Sequence, residues 1–119
     1  MKVREATKIA REKRPDLEIE GEIQVDAALI DKIGEMKDPG SKIAGHANVL
    51  IFPNLESGNI AYKLVERLAG ANALGPIIQG LCKPVNEVSR GCSTDDIVNI
   101  AAISSIEAKS IEANRKSYT

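Results

Sequence analysis

Eight consecutive residues, Ser89-Arg90-Gly91-Cys92-Ser93-Thr94-Asp95-Asp96, place a guanidinium, hydroxyls, a thiol and two carboxylates in one short run. The preceding residues, from Lys83 to Val88, read as an extended segment, and a helix is expected to open at about Thr94. The first N–H groups of a helix lack intrahelical partners and its dipole is positive there, so such a terminus attracts anions. Arg90 adds a planar fork able to grip two phosphate oxygens at once. The run therefore predicts a site for phosphate or an acyl phosphate, with a carboxylate base beside it. Plainer roles are open to the same residues. Ser93 with Asp96 three positions later has the spacing of a capping box, with Asp in place of Glu or Gln. Arg90 could pair with Asp95 or Glu87 at the surface, and Ser89 could be a turn hydroxyl. No histidine stands near Ser89 to activate it as a nucleophile. Cys92, beside a helix N-terminus, is either a thiol of lowered pKa or a small packing residue.

These side chains need elements to hold them. Val3, Ala6, Ile9 and Ala10 recur at helical spacing, and Pro15 should end that helix near Arg14. Residues 17–23 suggest a short strand or extended link. Asp26 is a candidate cap for a second helix burying Leu29, Ile30, Ile33 and Met36. Asp38-Pro39-Gly40-Ser41 signals a turn. The apolar run Ala47-Asn48-Val49-Leu50-Ile51-Phe52, closed by Pro53, predicts a buried strand. A third helix is expected to open at Ser57-Gly58-Asn59, bury Ile60, Leu64 and Leu68, and end at Gly70. Residues 74–81 and 84–89 are expected to form a hairpin that aims the Ser-Arg-Gly loop at a rim. The last helix, from about Thr94 to about Asn114, carries Ile97, Ile100, Ile103 and Ile106 as its expected apolar stripe. Helices alternating with buried strands argue for a layered α/β fold.

Composition narrows the function classes. The 119 residues suffice for one compact domain, and 43% hydrophobic with 28% charged is ordinary for a globular chain. Aromatics are 3% and Trp is absent, which argues against base stacking; the net charge of −1 gives no general attraction to nucleic acid or membrane surfaces. No apolar run approaches the roughly 20 residues that span a bilayer. The N-terminus lacks the apolar core of a signal peptide, so a cytoplasmic location is the expectation. Cys82 and Cys92 form no CxxC pair and His46 is the one histidine, which makes a zinc site unexpected.

The segments Ala47–Leu55, Gly58–Lys63, Gly75–Leu81 and Ser89–Ser93, together with Gly21–Leu29 upstream, strongly resemble the phosphate acetyltransferase family, in order and with similar gaps. The resemblance implies interconversion of acetyl-CoA plus phosphate with acetyl phosphate plus CoA. No tightly bound cofactor is implied, since CoA is itself a substrate. It also implies a three-layer α/β/α fold of the isocitrate and isopropylmalate dehydrogenase type, built as two domains around a cleft and assembled as a dimer. Family members are much longer, and this sequence resembles their C-terminal part. Residues 1–79 would come from the second domain, and 80–119 would return to the first as a hairpin and helix. A separate N-terminal polypeptide is then an expected partner.

Carried over residue by residue, the resemblance makes Asp96 the base that takes the CoA thiol proton and Arg90 the phosphate ligand. Ser89 becomes a donor to the reacting oxygen, and Arg67 a further cation of the substrate cleft. A thiol near 8.5 and an aspartate near 3.9 differ by roughly 4.6 pH units, so Asp96 needs a raised pKa or a transfer concerted with attack. Two alternatives stand beside this one. One is a catalytically silent piece that self-associates through apolar faces; the other is an acyltransferase of the phosphate butyryltransferase type.

Overall fold

The computed structural model describes residues 1–116 and divides the chain into two compact units, Met1–Tyr62 and the residues from Lys63 onward. Among the described residues the regular elements are five helices, α1 (Lys2–Lys13), α2 (Val25–Leu29), α3 (Asp31–Lys37), α4 (Leu55–Ala69) and α5 (Thr94–Lys116). No strand ladder forms among them, and one antiparallel bridge joins Ile77 to Asn86. The layered α/β/α arrangement expected from the alternating pattern is therefore not formed by these residues on their own. Residues 47–52 form no strand, with Val49 69% and Ile51 87% exposed. A strand is completed only by a neighbour's N–H and C=O groups. Apolar alternation can specify a strand without supplying that neighbour.

In the first unit α1 stops where Pro15 requires. Arg14 leaves helical geometry while its N–H still donates to Ala10 O at 2.8 Å. The buried position on α1 is Thr7, whose hydroxyl donates to Val3 O at 2.9 Å. Gly21 packs so close that a Cβ there would lie 2.7 Å from the Thr7 Oγ1. Ala6 and Ile9, expected on the inner face, are exposed.

The single helix expected after Asp26 is two. Ile30 sits between α2 and α3 at φ −119° and ψ 110°. Gly45 N–H donates to Ala27 O at 2.8 Å and Ala47 N–H to Ala28 O at 3.0 Å. Those carbonyls would otherwise accept the next helical turn, so the loop interrupts the helix by taking its acceptors. Asp26 lies inside α2, where Lys37 and the Ala27 N–H bond its carboxylate; the N-cap is Gln24. The buried residues here are Ala27, Ala28, Gly34, Ala44 and Gly45, while Leu29, Ile30 and Met36 are exposed. Small residues win because backbones meet: a Cβ on Gly34 would stand 2.7 Å from both the Ala44 carbonyl carbon and the Gly45 nitrogen. The Asp38–Ser41 turn forms as expected, closed by Ser41 N–H to Asp38 O at 3.1 Å. Ser41 then accepts from the Ile43 and Ala44 N–H groups and donates to Glu20.

Helix α4 begins before Ser57. Asn54 accepts the Ser57 N–H at 2.9 Å and its hydroxyl at 2.6 Å, which places Ser57-Gly58-Asn59 within the first turns. Its C-terminal end is at Gly70 in the left-handed region, as expected. Ile60, Leu64 and Leu68 are all exposed, because an apolar stripe is buried only where a second element covers it.

In the second unit, residues 70–93 run without regular structure apart from the Ile77–Asn86 bridge, reinforced by Glu87 N–H to Pro76 O at 3.4 Å. The expected hairpin is thus reduced to one rung. On α5 the predicted isoleucine stripe does not hold. Ile100 is 7% exposed, whereas Ile97 is 53% and Ile106 67% exposed. A repeat of three residues drifts by about 60° per step around a helix of 3.6 residues per turn. Four isoleucines spaced by three thus wind around α5 rather than lining one face.

Candidate active site

The chemistry-bearing run lies entirely in the second unit, where a loop closes onto the first turn of α5. Ser89 O accepts the Cys92 N–H at 3.0 Å and Ser89 Oγ accepts the Gly91 N–H at 3.3 Å, which folds residues 89–92 into a tight turn. Arg90 occupies its tip, exposed, and among the described residues its guanidinium engages no carboxylate. The surface pairs with Asp95 or Glu87 do not form. Because Ser89 Oγ is an acceptor in this turn, its own proton is available to a further oxygen.

Ser93 and Asp96 make a reciprocal cap. Asp96 Oδ2 accepts the Ser93 N–H at 2.7 Å, and Ser93 Oγ accepts the Asp96 N–H at 3.1 Å. This is the geometry expected of a capping box. The Ser93 N–H holds the Asp96 carboxyl below the usual aspartate range, and the Ser93 hydroxyl acts in the same direction. The raised pKa that an easily protonated base would need is therefore not present in this arrangement. Oδ1 accepts no hydrogen bond among the described residues and is the open oxygen.

The sign of the shift sets a pH dependence. A carboxyl with a depressed folded-state pKa supports the cap fully above its unfolded value and loses that support as pH falls through the folded value. Titration of the Asp96 side-chain carbon by NMR should give a midpoint below the unperturbed value of about 3.9, with loss of Ser93 amide protection over the same range. A midpoint at or above that value would contradict the cap.

Arg67, the fourth predicted site residue, lies near the C-terminal end of α4 and is exposed. Its Nε is 3.6 Å from Glu66 Oε2, a partly exposed ion pair of little energetic weight. Among the described residues it makes no hydrogen bond or ion pair with Ser89, Arg90 or Asp96. Cys92 and Cys82 are free thiols, and His46, in the first unit, stands 3.5 Å from Asp31. Among the described residues no group of His, Cys, Asp and Glu could hold a metal ion, and no helix is long and apolar enough to cross a membrane.

One residue escaped the sequence reading. Asn86 lies in the extended segment before the loop, and its side chain reaches α5, where Nδ2 donates to Ser104 Oγ at 2.9 Å and to Glu107 Oε2 at 2.8 Å. An amide between Val85 and Val88, in a run otherwise suited to a strand, was the available signal, since Asn is disfavoured there unless its side chain is bonded.

Known proteins carry the same segments. The family described as "Phosphate acetyl/butaryl transferase" matches residues 1–105. A phosphate acetyltransferase of Acetivibrio thermocellus is 57% identical over 112 residues, covering 94% of this chain and 34% of the relative. One from Thermoanaerobacterium thermosaccharolyticum is 58% identical over 108 residues, covering 91% of this chain and 33% of the relative. Among solved structures, the EutD phosphotransacetylase from Staphylococcus aureus superposes with a TM-score of 0.76 at 46% identity, over 91% of this chain and 33% of that one. The chain thus spans about a third of the length of these relatives. With the match running through the turn at Arg90 and the cap at Asp96, the chain belongs to the phosphate acetyl/butyryl transferase family of acyltransferases.

Proposed function

We propose that the Ser89–Asp96 run handles phosphate and thiol in an enzyme that moves acetyl between CoA and inorganic phosphate. The observation that carries this reading is the state of Arg90. Its neighbours in the turn and cap are bonded to one another, while its guanidinium at the tip engages no carboxylate among the described residues. A cation held on an ordered turn, with the Thr94 and Asp95 N–H groups making no hydrogen bond among the described residues, fits a tetrahedral oxyanion.

In the direction that makes acetyl-CoA, the CoA sulfur attacks the carbonyl carbon of acetyl phosphate and its proton passes to Asp96 Oδ1. The C–S bond forms, the C–O bond to phosphate breaks, and phosphate leaves against Arg90. The Ser89 hydroxyl donates to the carbonyl oxygen as its charge grows, and Arg67 supplies a second cation to the substrates. Because the Asp96 carboxyl is held down by its cap, full prior deprotonation of the thiol is unfavourable. Proton transfer then accompanies C–S bond formation. The reverse reaction is attack of phosphate on acetyl-CoA. No covalent enzyme intermediate is required.

The wider setting belongs to the same proposal. Residues 47–52, 74–81 and 84–89 would be strands of a three-layer α/β/α fold of the isocitrate dehydrogenase type. Residues 1–79 would belong to one domain and 80–119 to the other, in a cytoplasmic homodimer. The exposed apolar side chains of residues 49–52 and of α4 favour a second reading, a chain that self-associates without catalysis.

One experiment separates the two: thiol release from acetyl-CoA by this chain, with and without phosphate, alongside butyryl-CoA. Phosphate-dependent release preferring the acetyl ester is the expected result. No release above background with either ester leaves the non-catalytic reading in possession, and preference for butyryl overturns the acyl assignment.

A further inference from the structure

We propose that Asn86 is a positioning residue, whose carboxamide clamps the segment before the loop onto α5 and so sets where Arg90 stands relative to Asp96. The proposal rests on the reading of Arg90 and Asp96 given above.

Every hydrogen-bonding position that matters on this side chain is in use. Oδ1 accepts the Ile78 N–H at 3.1 Å, beside the backbone bridge from Asn86 to Ile77. The two protons on Nδ2 go to Ser104 Oγ at 2.9 Å and Glu107 Oε2 at 2.8 Å. Ser104 donates its own proton to Ile100 O at 2.8 Å, so its oxygen can meet Asn86 only as an acceptor. The polarity of the chain of bonds is therefore defined from end to end, and Asn86 is half-buried within it. Ser104 and Glu107 lie four and seven residues after Ile100, on the one face of α5 where an isoleucine is buried.

This contact gives the loop its second anchor. The segment between Asn86 and the helix is short, and the Ser93–Asp96 cap ties its far end to the first turn of α5. The Asn86 clamp ties its near end to the same helix about 12 Å further along, from Asp96 to Ser104 at 1.5 Å per residue. Both ends of the Arg90 turn are thus referred to one rigid rod that also carries Asp96. With the clamp released, the cap still holds Asp96, but the turn is tethered on one side only. Reacting groups lose rate steeply with small misplacement.

The test is an exchange of partners. Asn86→Asp keeps an acceptor for Ile78 but loses both donors and sets a carboxylate against Glu107. Adding Glu107→Gln restores a donor–acceptor pair with its direction reversed. In the full chain, Gly91 and Cys92 amide exchange should speed up about tenfold in Asn86→Asp and return to within about threefold of the parent in the double variant. Inorganic phosphate, titrated while the amides of residues 90–95 are followed by NMR, should bind about tenfold more weakly in the single variant and recover in the double. A residue that only stabilises the fold would lower the melting temperature without this paired loss and rescue. Should Asn86→Asp fail to fold, Glu107→Ala, which removes one acceptor, should show a smaller loss in the same amides.

Exchange at Gly91 and Cys92 that ignores the substitutions overturns the Asn86 proposal, whatever phosphate does. Exchange that follows them, with phosphate moving no amide even in the parent chain, overturns the phosphate reading of Arg90 and supports the clamp.

Discussion

Asp96→Asn should lower kcat for phosphate-dependent thiol release by about 10²–10⁴-fold, measured in the assembly that sustains turnover. The substitution is chosen because it separates two roles that coincide in one side chain. An asparagine oxygen still accepts the Ser93 N–H, so the start of α5 keeps its cap and the Arg90 turn keeps its far anchor. What disappears is the basic oxygen. Asp96→Ala removes both, and should match Asp96→Asn in kcat while also fraying α5. If Asp96→Asn retains parental turnover and Asp96→Ala does not, the residue is a cap and the base lies elsewhere. The depressed pKa sharpens the comparison. The Asp96 carboxylate stays ionised well below neutrality, so loss of activity on mild acidification could not be assigned to its protonation.

The second large effect is at Arg90. Arg90→Lys keeps the charge but replaces a planar fork by a point cation. If Arg90 binds phosphate through two oxygens and stabilises it as it leaves, KM for phosphate should rise about tenfold and kcat should fall by about 10²–10³-fold, as for loss of a transition-state donor. Initial rates at varied phosphate and saturating acetyl-CoA measure both. On the same reading KM for acetyl-CoA should change far less, because the proposed partner of the guanidinium is phosphate and not the nucleotide end of CoA. Equal kinetic constants for Arg90→Lys and the parent would rule out two-point binding. A parental KM for phosphate in Arg90→Ala would remove Arg90 from the site.

Much of this was legible in residues close together along the chain. Pro15 ending α1, the Asp38–Ser41 turn, Gly70 after α4 and the Ser93–Asp96 cap all depend on interactions within a few positions. Local rules hold there because the partner groups are supplied by the same short segment. The Arg90 turn is of the same kind, which is why four residues identify the candidate site.

Errors arose where a distant segment had to be present. The helix expected after Asp26 breaks at Ile30 because Gly45 and Ala47, some eighteen residues on, take the carbonyls of Ala27 and Ala28. The core of the first unit is made of alanine and glycine, not of the larger residues chosen by periodicity, because Gly34 admits a neighbouring backbone at a distance no side chain would allow. The strand expected at 47–52 has its pattern but no ladder. Sequence by itself determined the family, the cap, the turn and the grouping of the candidate site residues in one short run, since each follows from residue type at short spacing. Tertiary structure alone decided which apolar residues are buried, that Gly45 and Ala47 interrupt the helix at Ile30, and that Asn86 joins the loop to α5. Those outcomes depend on which donors and acceptors meet in space, and separation along the chain does not encode that meeting.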